Sequence, residues 1–357
     1  MDFAFRLAGW YEQNKRELPW RNTKNPYFIW LSEIILQQTR VDQGLSYYIK
    51  FTEKYPDVFS LANAPRDEVF KLWQGLGYYN RADNMLLTAK LVAGKYDGNF
   101  PENRDLLLQL PGIGPYTSAA IASIAFGVPV PVVDGNVYRV LARLFGVDAP
   151  VNSAKGSRLV YQLAEDLLDK NDPGTFNQAV MEFGALKCTP ANPECADCLF
   201  NTACYARLNG TVNKLPVKKP KTTLLNRYFY YFLIRLPNEG GYDMYLNKRT
   251  GGDIWKNLYD FVLTELPQKT EVNDEFIMNN LKKKINMKHV VVDGISKEYK
   301  QRLSHQLIHA VFIKIIVHKK VKFAHENSLI LVPEKHLIDY PVPRLIERYV
   351  TDEKIIK

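Results

Sequence analysis

The chain has 357 residues, 46% of them hydrophobic and 24% charged, with a formal net charge of +9. That length exceeds one ordinary core and predicts two domains, while the composition excludes the disordered and fibrous classes. No apolar run approaches the roughly 18–20 residues that cross a bilayer, so no membrane, signal or transit segment is expected, and the excess of Lys and Arg favours a polyanionic partner.

Residues 1–208 read as helix after helix. The stretch NPYFIWLSEIILQQTRVDQGLSYYIKFTEKY carries apolar residues at helical spacing. Within it Glu33 stands among Trp30, Leu31, Ile34, Ile35 and Leu36, surroundings that would desolvate a carboxylate and raise its pKa, although a solvent-facing helix position fits the same residues. PRDEVFKLWQGLG opens on Pro65 and closes on glycine, with a plausible cap at each end. In LPGIGPYTSA, Pro111 sets an extended approach, Gly112 and Gly114 can take positive φ, and Pro115 suits the first turn of the helix PYTSAAIASIAFG. Amide groups left uncovered by two glycines beside a positive helix N-terminus suit a phosphate, although a tight corner between packed helices needs the same residues. In VPVVDGNVYRV, Asp134 is an N-cap for a helix beginning near Asn136.

All four cysteines fall at Cys188, Cys195, Cys198 and Cys204, spaced C-x6-C-x2-C-x5-C in a loop too short for a core of its own. Such a cluster predicts one local site: tetrahedral zinc, a 4Fe-4S cluster or two disulfides. Residues 209–223, NGTVNKLPVKKPKTT, have no acid and two prolines, and are the expected basic linker. Beyond them the period shifts towards two. RYFYYFLIRL, YDMYLNKR and AVFIKIIVHKKVKF read as strands, and EFIMNNLKKKI and VPRLIERYV as helices, giving a mixed α/β domain over 224–357.

LPGIGPYTSAA resembles the hairpin of the helix-hairpin-helix base-excision DNA glycosylases, and Asp134 stands where that family keeps an acid about twenty residues later. The cysteine spacing is similar to the 4Fe-4S loop of its endonuclease III and MutY members. WLSE and LQQT resemble the adenine glycosylase (MutY) branch. The resemblance covers residues 10–208 and implies a mainly α glycosylase domain over 1–208, with one cluster per chain in the 188–204 loop. Residues 224–357 more loosely resemble the branch's Nudix-like recognition domain; they lack the R-E-x-x-E-E box that holds Mg²⁺, so no pyrophosphohydrolase activity is expected.

The resemblance also assigns roles. Cleaving an N-glycosidic bond puts negative charge on the leaving base and positive charge on the sugar, so one carboxyl must donate a proton while another stays ionised. Glu33 is the expected acid, and later the base for water; Asp134 is the stabiliser, with Tyr116 and Asn136 bordering both. Trp20, Arg21, Leu36 and Glu182 would line a pocket for the flipped adenine. Gln38, Thr39 and Tyr78 would fill the gap beside the opposite base, and Gly112 and Gly114 would hold a phosphate. Ser304 and His305 match the contact to 8-oxoguanine, with Leu303 where an aromatic is usual. The expected activity is monofunctional hydrolysis of adenine opposite 8-oxoguanine or guanine in double-stranded DNA, by a monomer in a bacterial cytoplasm at the nucleoid. The alternatives are an endonuclease III-like glycosylase with lyase activity, disfavoured because Tyr116 stands where the lyase lysine belongs, and a non-catalytic DNA-binding module.

Overall fold

A computed structural model describes residues 3–219, 224–285, 290–323 and 329–356, so the linker residues 220–223 lie outside it. The chain divides into two compact units, one of Met1–Asn63 with Asn84–Pro220 and one of Ala64–Asp83 with Lys221–Lys357. Residues 64–83, inside the expected helical domain, therefore group with the second unit.

The helices of this first part of the chain are α1 (Phe3–Asn14), α2 (Pro26–Leu36), α3 (Val41–Lys54), α4 (Val58–Ala62), α5 (Arg66–Trp73) and α6 (Asn80–Lys95). They are followed by α7 (Arg104–Leu107), α8 (Pro115–Phe126), α9 (Gly135–Phe145), α10 (Ala154–Leu167), α11 (Pro173–Leu186) and α12 (Tyr205–Leu208). Their starts follow capping chemistry. The side chains of Asn25, Asp57, Asn103, Asp134, Ser153 and Asp172 accept from the first free amides of α2, α4, α7, α9, α10 and α11. Each such cap is worth about 1 kcal/mol. The long apolar stretch 25–55 is two helices, α2 and α3, because Gln38 takes a left-handed φ of 58° between them.

In the first unit α1, α9, α10 and α11 close one core through Leu7, Val140, Val160, Val180 and Phe183. The helix α8 packs against both α2 and α11. It is buried from Thr117 to Ser123, and its small Ala119, Ala120 and Ala122 let the neighbours approach. No described helix is long and apolar enough to cross a membrane.

The second unit is built on β1 (Leu225–Asn238), β2 (Gly241–Lys248), β3 (Tyr259–Asp260), β4 (Val262–Leu266), β5 (Val291–Ile295), β6 (Tyr299–Arg302), β7 (Gln306–Ile316) and β8 (Leu329–Pro333). These strands form one mixed sheet with main order β3-β2-β1-β7-β5. β1 and β7 run parallel from Leu225↔Gln306 to Arg235↔Ile316, whereas β1 pairs antiparallel with β2 and β4. Strand alternation explains why both faces are apolar. Phe229, Tyr231 and Leu233 face a core shared with α14 (Arg344–Asp352), while Tyr230, Phe232 and Ile234 face one shared with α13 (Asp274–Lys282). On the α14 side Phe312 stacks on Tyr349 with ring centroids 3.8 Å apart. The helical and α/β classes read from the sequence are those observed.

Candidate active site

Glu33 lies on α2 and is 9% exposed. Burial pushes its carboxyl up to about 7; the Tyr116 hydroxyl hydrogen-bonds it and pulls the other way, and the Asp134 charge adds to the rise. Tyr116 enters from the first turn of α8. Its phenol end is enclosed, so burial and the facing Glu33 and Asp134 keep it well above a normal tyrosine pKa, a neutral donor at every physiological pH. The same hydroxyl lies 3.6 Å from Met181 Sδ, a poorer acceptor than a carboxylate.

Asp134 caps α9. Its Oδ1 accepts from the backbone amides of Asn136 and Val137, both at 2.8 Å, and Oδ2 accepts from Asn136 Nδ2 at 2.7 Å. Burial raises this carboxyl above the ordinary aspartate range, with the three donors and Arg139 opposing the rise. Glu33 receives a hydrogen bond from Tyr116 and Asp134 receives three, so hydrogen bonding favours the ionised form more strongly at Asp134 than at Glu33. Asn136 bridges further back, its Oδ1 accepting from Arg139 at 2.8 Å; Arg139 also donates to the carbonyls of Gly184 and Cys188, each at 2.7 Å. Gly184 lets α11 approach α9, since a Cβ there would stand 2.6 Å from Asn136 Cβ.

Next to Met181, Glu182 is buried and forked by two arginines. Arg21 donates at 2.8 and 2.6 Å, and Arg16 donates through its backbone amide, Nε and a terminal nitrogen at 2.9, 2.8 and 2.6 Å. Burial alone would raise this carboxyl, yet the two guanidinium groups hold it at about 2. Trp20 is buried edge-on to Tyr48, at 5.0 Å, and Leu36 is half-buried, against Gly44.

The hairpin glycines differ. Gly112 takes φ 76°, and a Cβ would come 2.8 Å from Asn84 Cβ. Gly114 is extended at φ −90° with nothing within 4 Å of a Cβ, so the expectation of positive φ there is corrected. Its backbone precedes Pro115 as the cap of α8, where an extended conformation suffices. Gln38 is exposed and Thr39 half-buried in the turn after α2.

In the second unit, Tyr78 has φ 48° and a 51% exposed ring. Its hydroxyl lies 3.0 Å from Ser304 Oγ, which brings together two residues expected to contact the opposite base. His305 is exposed, and its carbonyl accepts from Leu225 N. Leu303 packs into the α14-side core, so that position offers no outward ring.

The four cysteines form no disulfide. Cys188, Cys198 and Cys204 lie against the helical core, and the Cys198 sulfur is close enough to the other three to feel their charge. Arg143 donates to Cys188 Sγ at 3.5 Å and to the Thr189 and Pro190 carbonyls, and Phe200 N donates to Cys198 Sγ at 3.4 Å. N–H groups aimed at sulfur suit anionic thiolates. Among the described residues no three His, Cys, Asp or Glu side chains gather closely enough for a single metal ion. By its donor chemistry alone, a set of four cysteine sulfurs suits a 4Fe-4S cluster as it suits tetrahedral zinc.

Arg16 and Met181 were not legible as site residues, since they meet their partners across 166 and 65 positions; Arg139 was not singled out either, although its link to Asn136 spans three positions.

Residues 31–168 match the model of the HhH-GPD superfamily of base excision DNA repair proteins. The chain is 36% identical to an adenine DNA glycosylase of Buchnera aphidicola subsp. Baizongia pistaciae over 92% of this chain and 90% of that one. It is 44% identical to the Homo sapiens adenine DNA glycosylase over 57% of this chain and 39% of the human one. A thermostable thymine-DNA glycosylase structure superposes with a TM-score of 0.54 at 33% identity, over 58% of this chain and 95% of that chain.

Proposed function

Because the chain belongs to the adenine DNA glycosylase family of base-excision repair enzymes, we propose that it removes adenine from 8-oxoguanine:adenine mispairs, and from guanine:adenine, in duplex DNA and leaves an abasic site. The observation that carries this reading is the unequal pair Glu33 and Asp134, facing each other beside the Tyr116 hydroxyl.

Glu33, protonated, donates to a ring nitrogen of the flipped adenine as the bond to the sugar breaks and its electron pair leaves with the base. The Asp134 carboxylate, pinned by its three donors, stabilises the oxocarbenium-like sugar. Glu33, now ionised, takes a proton from water, whose oxygen adds to the sugar carbon. Arg16, Arg21 and Glu182 provide a fixed polar wall for the base, with Trp20 and Leu36 as its apolar sides. Tyr116 has no amine to form a Schiff base, so strand cleavage does not follow. Cys188, Cys195, Cys198 and Cys204 would hold a 4Fe-4S cluster, which would brace the loop for docking on DNA. Ser304, His305 and Tyr78 read the base opposite the adenine by hydrogen bonds and stacking.

The test is a single-turnover incubation with an 8-oxoguanine:adenine duplex, quenched with or without hot alkali. Breaks only after alkali support the proposal. Breaks without alkali, or trapping by borohydride, would mean a lyase, and no breaks at all a binding module.

A further inference from the structure

We propose that Asp67 is a positioning residue for lesion discrimination, latching the segment that carries Tyr78 onto the sheet that carries Ser304. The proposal rests on the reading of Tyr78 and Ser304 given above.

Residues 64–83 belong to the same compact unit as the sheet. On that segment Asp67 receives Lys248 Nζ at 2.8 and 3.1 Å and the Tyr259 hydroxyl at 2.9 Å. Lys248 also sits 5.0 Å from the centre of the Tyr259 ring. Lys248 is the last residue of β2 and pairs with Tyr259 of β3, so both partners of Asp67 come from one rung of the ladder. A carboxylate between an ammonium and a phenol on a shared rung has little freedom to slide.

The second anchor is Tyr78 itself. Its left-handed backbone turns the ring outward, the Arg81 guanidinium lies 5.6 Å from the centre of its ring and 5.0 Å from that of Trp73, and Trp73 Nε1 donates to the Gly77 carbonyl. The turn is thus rigid within itself, and Asp67 on the preceding helix holds it to the sheet. At the other end the Tyr78 hydroxyl meets Ser304 Oγ at 3.0 Å, 226 residues away in sequence. A hydroxyl pair at that distance depends on tenths of an ångström. Freeing the segment at Asp67 costs the Ser304 hydroxyl its fixed orientation without altering any group that touches DNA.

Discrimination is measured as the ratio of single-turnover efficiency on 8-oxoguanine:adenine to that on guanine:adenine. Asp67→Asn lowers this ratio roughly three- to tenfold, the worth of one positioned hydrogen bond, while the guanine:adenine rate holds. Lys248→Met removes the same contact from the sheet side and lowers the ratio likewise, and Asp67→Glu restores most of it. Asp67→Asn combined with Tyr78→Phe loses no more than the larger single change, because both act on one contact. A ratio unchanged in Asp67→Asn and Lys248→Met, while Ser304→Ala lowers it, overturns the latch and leaves the reading of the loop intact. A ratio unmoved even by Ser304→Ala overturns both.

Discussion

The proposed role of Glu33 as the acid predicts how the reaction depends on pH. Moving its carboxyl from 4.5 to about 7 favours the protonated form by about 3 kcal/mol. At pH 7 about half the molecules hold the proton, against about 0.3% for an ordinary glutamate, a gain of about 150-fold in competent enzyme. The single-turnover rate, measured with enzyme in excess from about pH 6 to about pH 9, is expected to fall tenfold per unit above the carboxyl's midpoint. Tyr116→Phe removes the hydrogen bond that favours ionisation, so this limb moves to higher pH. Glu33→Gln has neither the limb nor the rate. A linked effect appears in stability. Between about pH 4.5 and about pH 7 the folded state binds more protons at Glu33 than the unfolded state, so stability falls as pH rises through that window and then levels. Glu33→Gln should therefore melt with the parent at acid pH and above it at pH 8, by up to about 3 kcal/mol. A flat rate profile with matching melting curves at both pH values would refute the reasoning.

Other outcomes follow from named contacts. Asp134→Asn keeps an N-cap acceptor but loses the charge, so mispair binding persists in gel shift while base release stops; equal loss of both would reduce the residue to a helix cap. Gly114→Ala meets no atom and keeps its backbone, so the melting temperature holds while duplex affinity drops. Gly112→Ala must bear a left-handed φ and a 2.8 Å approach to Asn84, and costs about 1–3 kcal/mol in thermal unfolding as well. Purified protein carries iron and acid-labile sulfide in equal amounts, and Cys198→Ser abolishes both while leaving the α/β unit's melting transition in place.

What the sequence made legible was local. Asp134 could be read as a cap because the amides that donate to it lie within three residues, and Pro115 as a helix start because its fixed φ suits the first turn. Glu33 was readable because its neighbours along α2 desolvate it. Gln38 was not foreseen as a helix break, since nothing in LQQT forbids a turn of helix, yet it takes a left-handed φ. Gly114 shows the converse error, because a glycine in extended backbone looks identical in sequence to one at positive φ. The doubly forked Glu182 and the Tyr78–Ser304 contact depend on partners 166 and 226 positions apart, a separation that no periodicity encodes.

Gly184 carries no chemistry, yet it is the backstop of the site. With no methyl in the way, α11 rests directly on Asn136, and Asn136 in turn aims its amide at the Asp134 carboxylate. A side chain added there, one helix behind Asp134, would push on that chain of contacts at 2.6 Å from the Asn136 Cβ. The placement of the Asp134 carboxylate is therefore set from behind, by an atom the protein leaves out.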